Sequence, residues 1–199
     1  MNDRASTLLR FWFDGDPLAL GKRWFQKDDA FDAEIRRAFH DDIDRAGRGE
    51  LDPWAETARG ALALVVLLDQ LPRNVFRGSP RSFAGDAPAL AVSQGAQARG
   101  LDRELSFLER YVLLMPMMHA EDREVQRRSL EAFGRLAAEA AAAGAPEGVL
   151  KLVDGARDYA ARHARIVERF GRFPHRNLLL GRASTTEEMA FLKEPGSSF

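Results

Sequence analysis

A chain of 199 residues, 45% apolar and 30% charged, has the make-up of a globular domain and is long enough to bury roughly 70% of its unfolded surface unaided by staples. The net charge of −1 excludes recruitment of nucleic acid or anionic lipid by bulk electrostatics, and the lack of cysteine excludes disulfides, thiolate metal sites and thiol nucleophiles. The longest apolar run, Ala61 to Leu68, is too short to span a bilayer, and Met1 to Phe13 lacks the apolar middle of a secretory signal, so a soluble cytoplasmic protein is expected, with neither membrane nor nucleic acid as partner.

Apolar residues recur at helical spacing along nearly the whole chain, and no alternating run is flanked by turn residues, which predicts an all-α fold. Phe31, Ile35, Phe39 and Ile43 form the stripe of a helix that Asp28 or Asp29 can cap and that Gly47 ends. Asp52 and Pro53 start the next, whose middle, Ala61 to Leu68, is apolar on every face and marks a central helix ending at Leu71, before Pro72. Asp86 and Pro88 open a helix that ends near Gly100, and Asp102 opens another that Pro116 interrupts after Met115. An alanine-rich helix then runs from about Glu121 to Gly144. The next runs from Pro146 to Gly171, with Val149, Val153, Ala156, Ala160, His163 and Val167 on one face. Ser184 and Glu187 make a capping box for a short helix to about Lys193. Short links predict antiparallel hairpins, packed as a bundle or array in one domain over residues 1–194, with 195–199 a loose tail.

Three helix ends carry more polar residues than a turn needs. In the first, Asp69, Gln70, Arg73, Asn74 and Arg77 surround Pro72. Asp69 and Arg73 have the spacing of an ion pair that locks the helix end, while the alternative makes Arg73 or Arg77 a clamp for a carboxylate or phosphate. In the second, His119 precedes Glu121 and Asp122; the acids suit a helix start, and His119 suits a proton carrier or ligand oriented by an acid. In the third, Arg169 to Asn177, Gly171 permits a left-handed turn and Pro174 a new helix with His175, Arg176 and Asn177 in its first turn. Free N–H groups there, with Arg169, Arg172 and Arg176, would attract an anion; otherwise these arginines bond to carbonyls and to acids such as Glu187. His163 reads as a core histidine or as a group facing a central cavity. His119, His163, His175 and Glu121 lack a short two-histidine spacing, so no metal is expected. Without a phosphate-cradling glycine loop or nucleophile elbow, no cofactor is expected either.

The segments Trp24 to Asp32 with Ile35-Arg36, Leu67 to Asn74 with Phe76-Arg77-Gly78, Met115-Pro116 with His119 to Asp122, and Arg169 to Asn177 followed by Gly181-Arg182-Ser184-Thr185-Glu187-Glu188 resemble the bacterial domain-of-unknown-function family 924. They follow the family's order from about Phe11 to Leu192. The resemblance implies an α-helical, tetratricopeptide-repeat-like architecture and names no activity. Met117 and Met118 depart from it, standing where the family more usually has a bulky aromatic residue nearby.

Three functions remain open. In the first, a concave face binds an anionic small molecule or peptide end through Arg73, Arg77, Arg172 and Arg176, with Trp12 and Trp24 as apolar walls. In the second, an enzyme uses His119 or His175 as acid or base, oriented by Glu121 or Asp69. The third is a structural or oligomerisation module without ligand. The first two require residues near 70, 119 and 175 to meet; oligomeric state is not legible.

Overall fold

The computed structural model describes residues 3–198, all helix, turn and coil, with no strand among them. Two short helices that the apolar spacing did not single out come first, α1 (Asp3–Phe13) and α2 (Pro17–Phe25); Asp16 caps the latter by accepting from Leu18 and Ala19 N–H. Asp28 caps α3 (Asp29–Gly47) in the same way, and Phe31, Ile35, Phe39 and Ile43 are buried as their spacing predicts.

The central helix departs from expectation at both ends. Asp52–Glu56 is a separate 3-10 turn, and Thr57, not Asp52, caps α4 (Ala58–Val65) through Gly60 N–H. At the far end Pro72 does not stop the helix. The chain widens into a π turn over Val66–Gln70, closed by Leu71 N–H donating to the Val66 carbonyl, and continues as α5 (Leu71–Val75). Pro72 has no N–H for the Leu68 carbonyl four residues back, and its ring would crowd that carbonyl, so the wider turn relieves both problems without ending the helix. Ala61 to Leu68 is buried, packed against α1 and two later helices, α6 (Asp86–Ala98) and α7 (Phe107–His119), as a central helix should be.

Helix α7 starts later than Asp102, which lies in a 3-10 turn; Ser106 and Glu109 form its capping box. Pro116 lies inside the helix, so the expected interruption is absent and His119 is its last residue. Asp122 caps α8 (Arg123–Ala142), and α9 (Glu147–Phe170) ends at Gly171 with φ 71°. Arg110 meets Glu139 while Gln126 donates to the Met118 carbonyl, which makes α7 and α8 antiparallel; Arg123 on Glu168 does the same for α8 and α9.

Pro174–Arg176 is one 3-10 turn rather than a new helix, and the Arg176 and Asn177 N–H groups are taken by the Phe173 and Pro174 carbonyls. The expected anion-binding helix start is therefore absent. The last capping box sits one residue later than expected, on Thr185 and Glu188, and opens α10 (Thr186–Phe191). Ser197 is buried and donates to the Leu192 carbonyl; Met1, Asn2 and Phe199 lie outside the described residues. Trp12 and Trp24 stack at 5.7 Å inside the α1–α2 core and are not walls of a polar site. Among the described residues no helix is long and apolar enough to cross a membrane.

Candidate functional site

Because the π turn holds one more residue than an α turn, it decides which side chains of the central helix face α7. Asp69 ends fully buried, against the last residue of α7, with His119 Nδ1 2.7 Å from Asp69 Oδ1. Gln70 donates its amide to the other carboxylate oxygen. Arg73 donates to the Asp69 carbonyl at 2.7 Å and sits 3.4 Å from its carboxylate, the four-residue ion pair the spacing predicts. Its other terminal nitrogen lies 2.9 Å from Asp86 Oδ1, and Asp86 Oδ2 accepts from Arg176 at 2.9 Å.

Arg176 is 6% exposed, with its guanidinium between the Phe83 ring at 4.7 Å and the Phe173 ring at 4.6 Å. Its buried Nε has no hydrogen-bond partner among the described residues. His163 joins the group from α9. Its ring centre is 5.9 Å from that of His119 and 5.4 Å from that of Phe173, which in turn lies 5.7 Å from His175. Residues near 70, 119 and 175 thus meet, as two of the functional readings require.

Burial would by itself raise the Asp69 carboxyl, but Arg73 and His119 outweigh it and hold Asp69 well below the ordinary carboxylate range. For His119 burial dominates, helped by Arg73 and opposed by Asp69, and the ring stays neutral. Burial pushes His163 down to about 3, and burial with Arg176 pushes His175 down to about 4. With Asp69 ionised, the His119 proton sits on Nδ1, which leaves the lone pair on Nε2. Nε2 has no hydrogen bond among the described residues, and 10% of the His119 side chain remains exposed. His163 Nδ1 bonds to the Tyr159 carbonyl at 2.8 Å, which likewise places its proton on Nδ1.

Glu121 serves another purpose than the first turn of α8. It accepts from Phe173 N–H at 2.8 Å and from both terminal nitrogens of Arg182, at 2.5 and 2.9 Å, strapping the Phe173–Arg182 loop to the end of α7. Arg182 also donates to Asn177 Oδ1 at 3.0 Å. The strap holds Arg176 and His175 against the cluster.

The family model for bacterial proteins of unknown function (DUF924) matches residues 8–196. The chain belongs to that family. Among solved structures this DUF924 chain is similar to a protein of unknown function from Agrobacterium tumefaciens, with 38% identity and a TM-score of 0.79, over 95% of this chain and 96% of that one. No curated protein matches it.

Within this DUF924 member, four of the expected site residues are engaged elsewhere. Asn74 and Arg77 hold Asp32 of α3, at 2.7 and 3.1 Å, so the clamp proposed for Arg77 is occupied. Arg172 grips Glu188 of α10 with two hydrogen bonds at 2.6 and 2.8 Å, and Asn177 donates to Ser184 at 3.0 Å. Asp86 and Phe83 were missed. A lone acid in the first turn of a helix is ordinary sequence, and only the meeting of Arg73 with Arg176 distinguishes Asp86. The expected positive hollow is a charge-balanced network in which two guanidinia, Arg73 and Arg176, face two carboxylates, Asp69 and Asp86. Two cavities lie elsewhere, one of about 260 Å³ between α3 and the π turn, the other along α1 and α3 beside Arg4 and Arg36. Among the described residues no group of three histidine or acidic side chains is arranged to hold a metal ion.

Proposed function

We propose that this DUF924 protein acts in the cytoplasm as an enzyme on a small anionic molecule, with His119 as the proton-transfer group and Asp69 as its positioning residue. One observation carries the reading: a buried ring whose Nδ1 is tied to an ionised carboxylate at 2.7 Å and whose Nε2 makes no bond to the described residues. A neutral imidazole in that state has its lone pair aimed outward and its conjugate acid stabilised by the carboxylate behind it, which is what a general base needs. Arg176 Nε, a buried donor without a hydrogen-bond partner among the described residues, joins the same network through Asp86 and suits a carboxylate or phosphate on the substrate.

The test is a panel of small organic acids and phosphates in D₂O, followed by proton NMR for loss of a C–H signal or formation of product. Wild-type protein should exchange or convert at least one compound, and His119→Gln should bind it without converting it. A panel in which compounds bind and none is exchanged or converted overturns the catalytic reading and leaves a binding module. A structural reading is favoured by a different observation, the pairing of Arg73 and Arg176 with the same Asp86. It predicts that no compound in the panel binds and that His119→Gln alters stability alone.

A further inference from the structure

The back of the π turn faces the cavity of about 260 Å³. Leu67, Leu68 and Pro72 form one wall and Phe76 another, while the C-terminal end of α3 closes it with Ile43 and Gly47. Its apolar floor is buried, whereas its rim is charged. Arg81 lies over the Phe76 ring at 3.8 Å and donates one terminal nitrogen to Asp44 at 2.6 Å, leaving its other guanidinium N–H groups without a partner among the described residues. Arg48 likewise spends its Nε on Glu50 at 2.6 Å and keeps both terminal nitrogens free. Of the last carbonyls of α3, those of Asp44, Arg45 and Ala46 already accept from Arg48, Gly49 and Glu50 N–H groups. Two arginines and one aspartate line the space, so it offers apolar depth below and spare cationic donors above.

We propose that this pocket is a binding site for a small carboxylic acid with an apolar tail, the tail against Leu67, Leu68 and Phe76 and the carboxylate at Arg81 and Arg48. An apolar cavity of about 150 Å³ holds benzene, so this one has room for a tail of roughly six to eight carbons. The pocket is separate from the Asp69–His119 centre, although Leu68 immediately precedes Asp69 and Gly85, another wall residue, immediately precedes Asp86. The Gly85 backbone lies so close that a Cβ there would stand 2.1 Å from the Leu68 carbonyl oxygen. At Gly47, another lining residue, a Cβ by contrast meets nothing within 4 Å, so a larger side chain is accommodated beside the cavity.

The experiment titrates octanoate into full-length protein with methyl-labelled leucines. Octanoate should shift the Leu67 and Leu68 methyls, and octan-1-ol, which lacks the charge, should bind at least about fivefold more weakly. Gly47→Leu should weaken octanoate by more than about tenfold, and Arg81→Gln by roughly five- to tenfold. Ala84→Leu, from the opposite wall, replaces Gly47→Leu if that variant fails to fold. Absence of Leu67 and Leu68 shifts, equal binding of acid and alcohol, or unchanged affinity in the filled variant each overturns the proposal. A response confined to the His119 ring places octanoate at the other centre and overturns it too.

Discussion

The ion pairs between α9 and α10 and those around Asp69 use the same residue types in opposite ways. Arg169 with Glu187 and Arg172 with Glu188 join residues 18 and 16 apart in sequence, and both arginines remain in contact with solvent. Around Asp69 the partners come from the central helix, α6, α7 and the Pro174 turn; Asp86 and Arg176 are 90 residues apart, and Asp69 is fully buried. The first arrangement anchors a short helix through arginines that stay partly hydrated; Glu188 itself is buried, so only the Arg169–Glu187 pair avoids desolvation. The second takes several charges out of water, which apolar packing of equal volume would do more economically. The second also leaves His119 Nε2 and Arg176 Nε without a hydrogen bond among the described residues, the feature on which the proposed function rests.

That contrast is sharpest at Asp69. Asp69→Asn keeps the shape and removes the charge facing Arg73 and His119, and should cost about 3–5 kcal/mol in chemical denaturation. A loss below about 1 kcal/mol would make the network no different from the α9–α10 pairs.

Acidification probes the same interior. His119, His163 and His175 stay neutral in the folded protein, the latter two down to about 3 and about 4, while in the unfolded chain each takes a proton below about 6.5. The unfolded state then holds more protons, so stability falls as pH drops through 6.5 and goes on falling toward those lower values. By pH 5 the loss should be about 1–2 kcal/mol for each of His163 and His175. Denaturation at pH 7 and pH 5 measures it, and His163→Gln should flatten the difference. Glu188, which Arg172 holds ionised down to about 2, adds little between pH 7 and pH 5, because its loss of stability begins only as the pH falls toward the ordinary carboxylate value.

Arg182→Gln, which releases the Glu121 strap, should cost about 2 kcal/mol and raise amide exchange across the Phe173–Arg182 loop. Arg169→Gln, on the exposed pair, should change stability by less than about 0.5 kcal/mol. Equal costs for these two would erase the distinction between strap and surface pair.

Helices with one strong stripe could be read from sequence, as Phe31 to Ile43 and Val149 to Val167 show, because the 3.6-residue period needs no tertiary information. Prolines misled, since Pro72 and Pro116 are local stop signals that a packed core can override by widening a turn or by burial. At the last capping box Ser184, Thr185 and Thr186 precede Glu187 and Glu188, so two registers satisfy the same pattern and only packing selects one. The polar residues of the site were visible as excess. Their partners were not, because nothing local tells Arg176 that Asp86 will face it or Arg77 that it will be given to Asp32.

The π turn also makes segment length a marker. Removing one residue between Val66 and Gln70 would let the turn close as ordinary α-helix with its flanks nearly in phase, because the wide turn and an α turn one residue shorter sweep about the same angle, and would re-aim only the side chains inside the turn. Asp69 lies inside that turn, so its bond to His119 would be disturbed with every chemically important side chain still present. Among homologous chains, a one-residue gap at this spot would therefore identify members without the dyad more reliably than any exchange of amino-acid type.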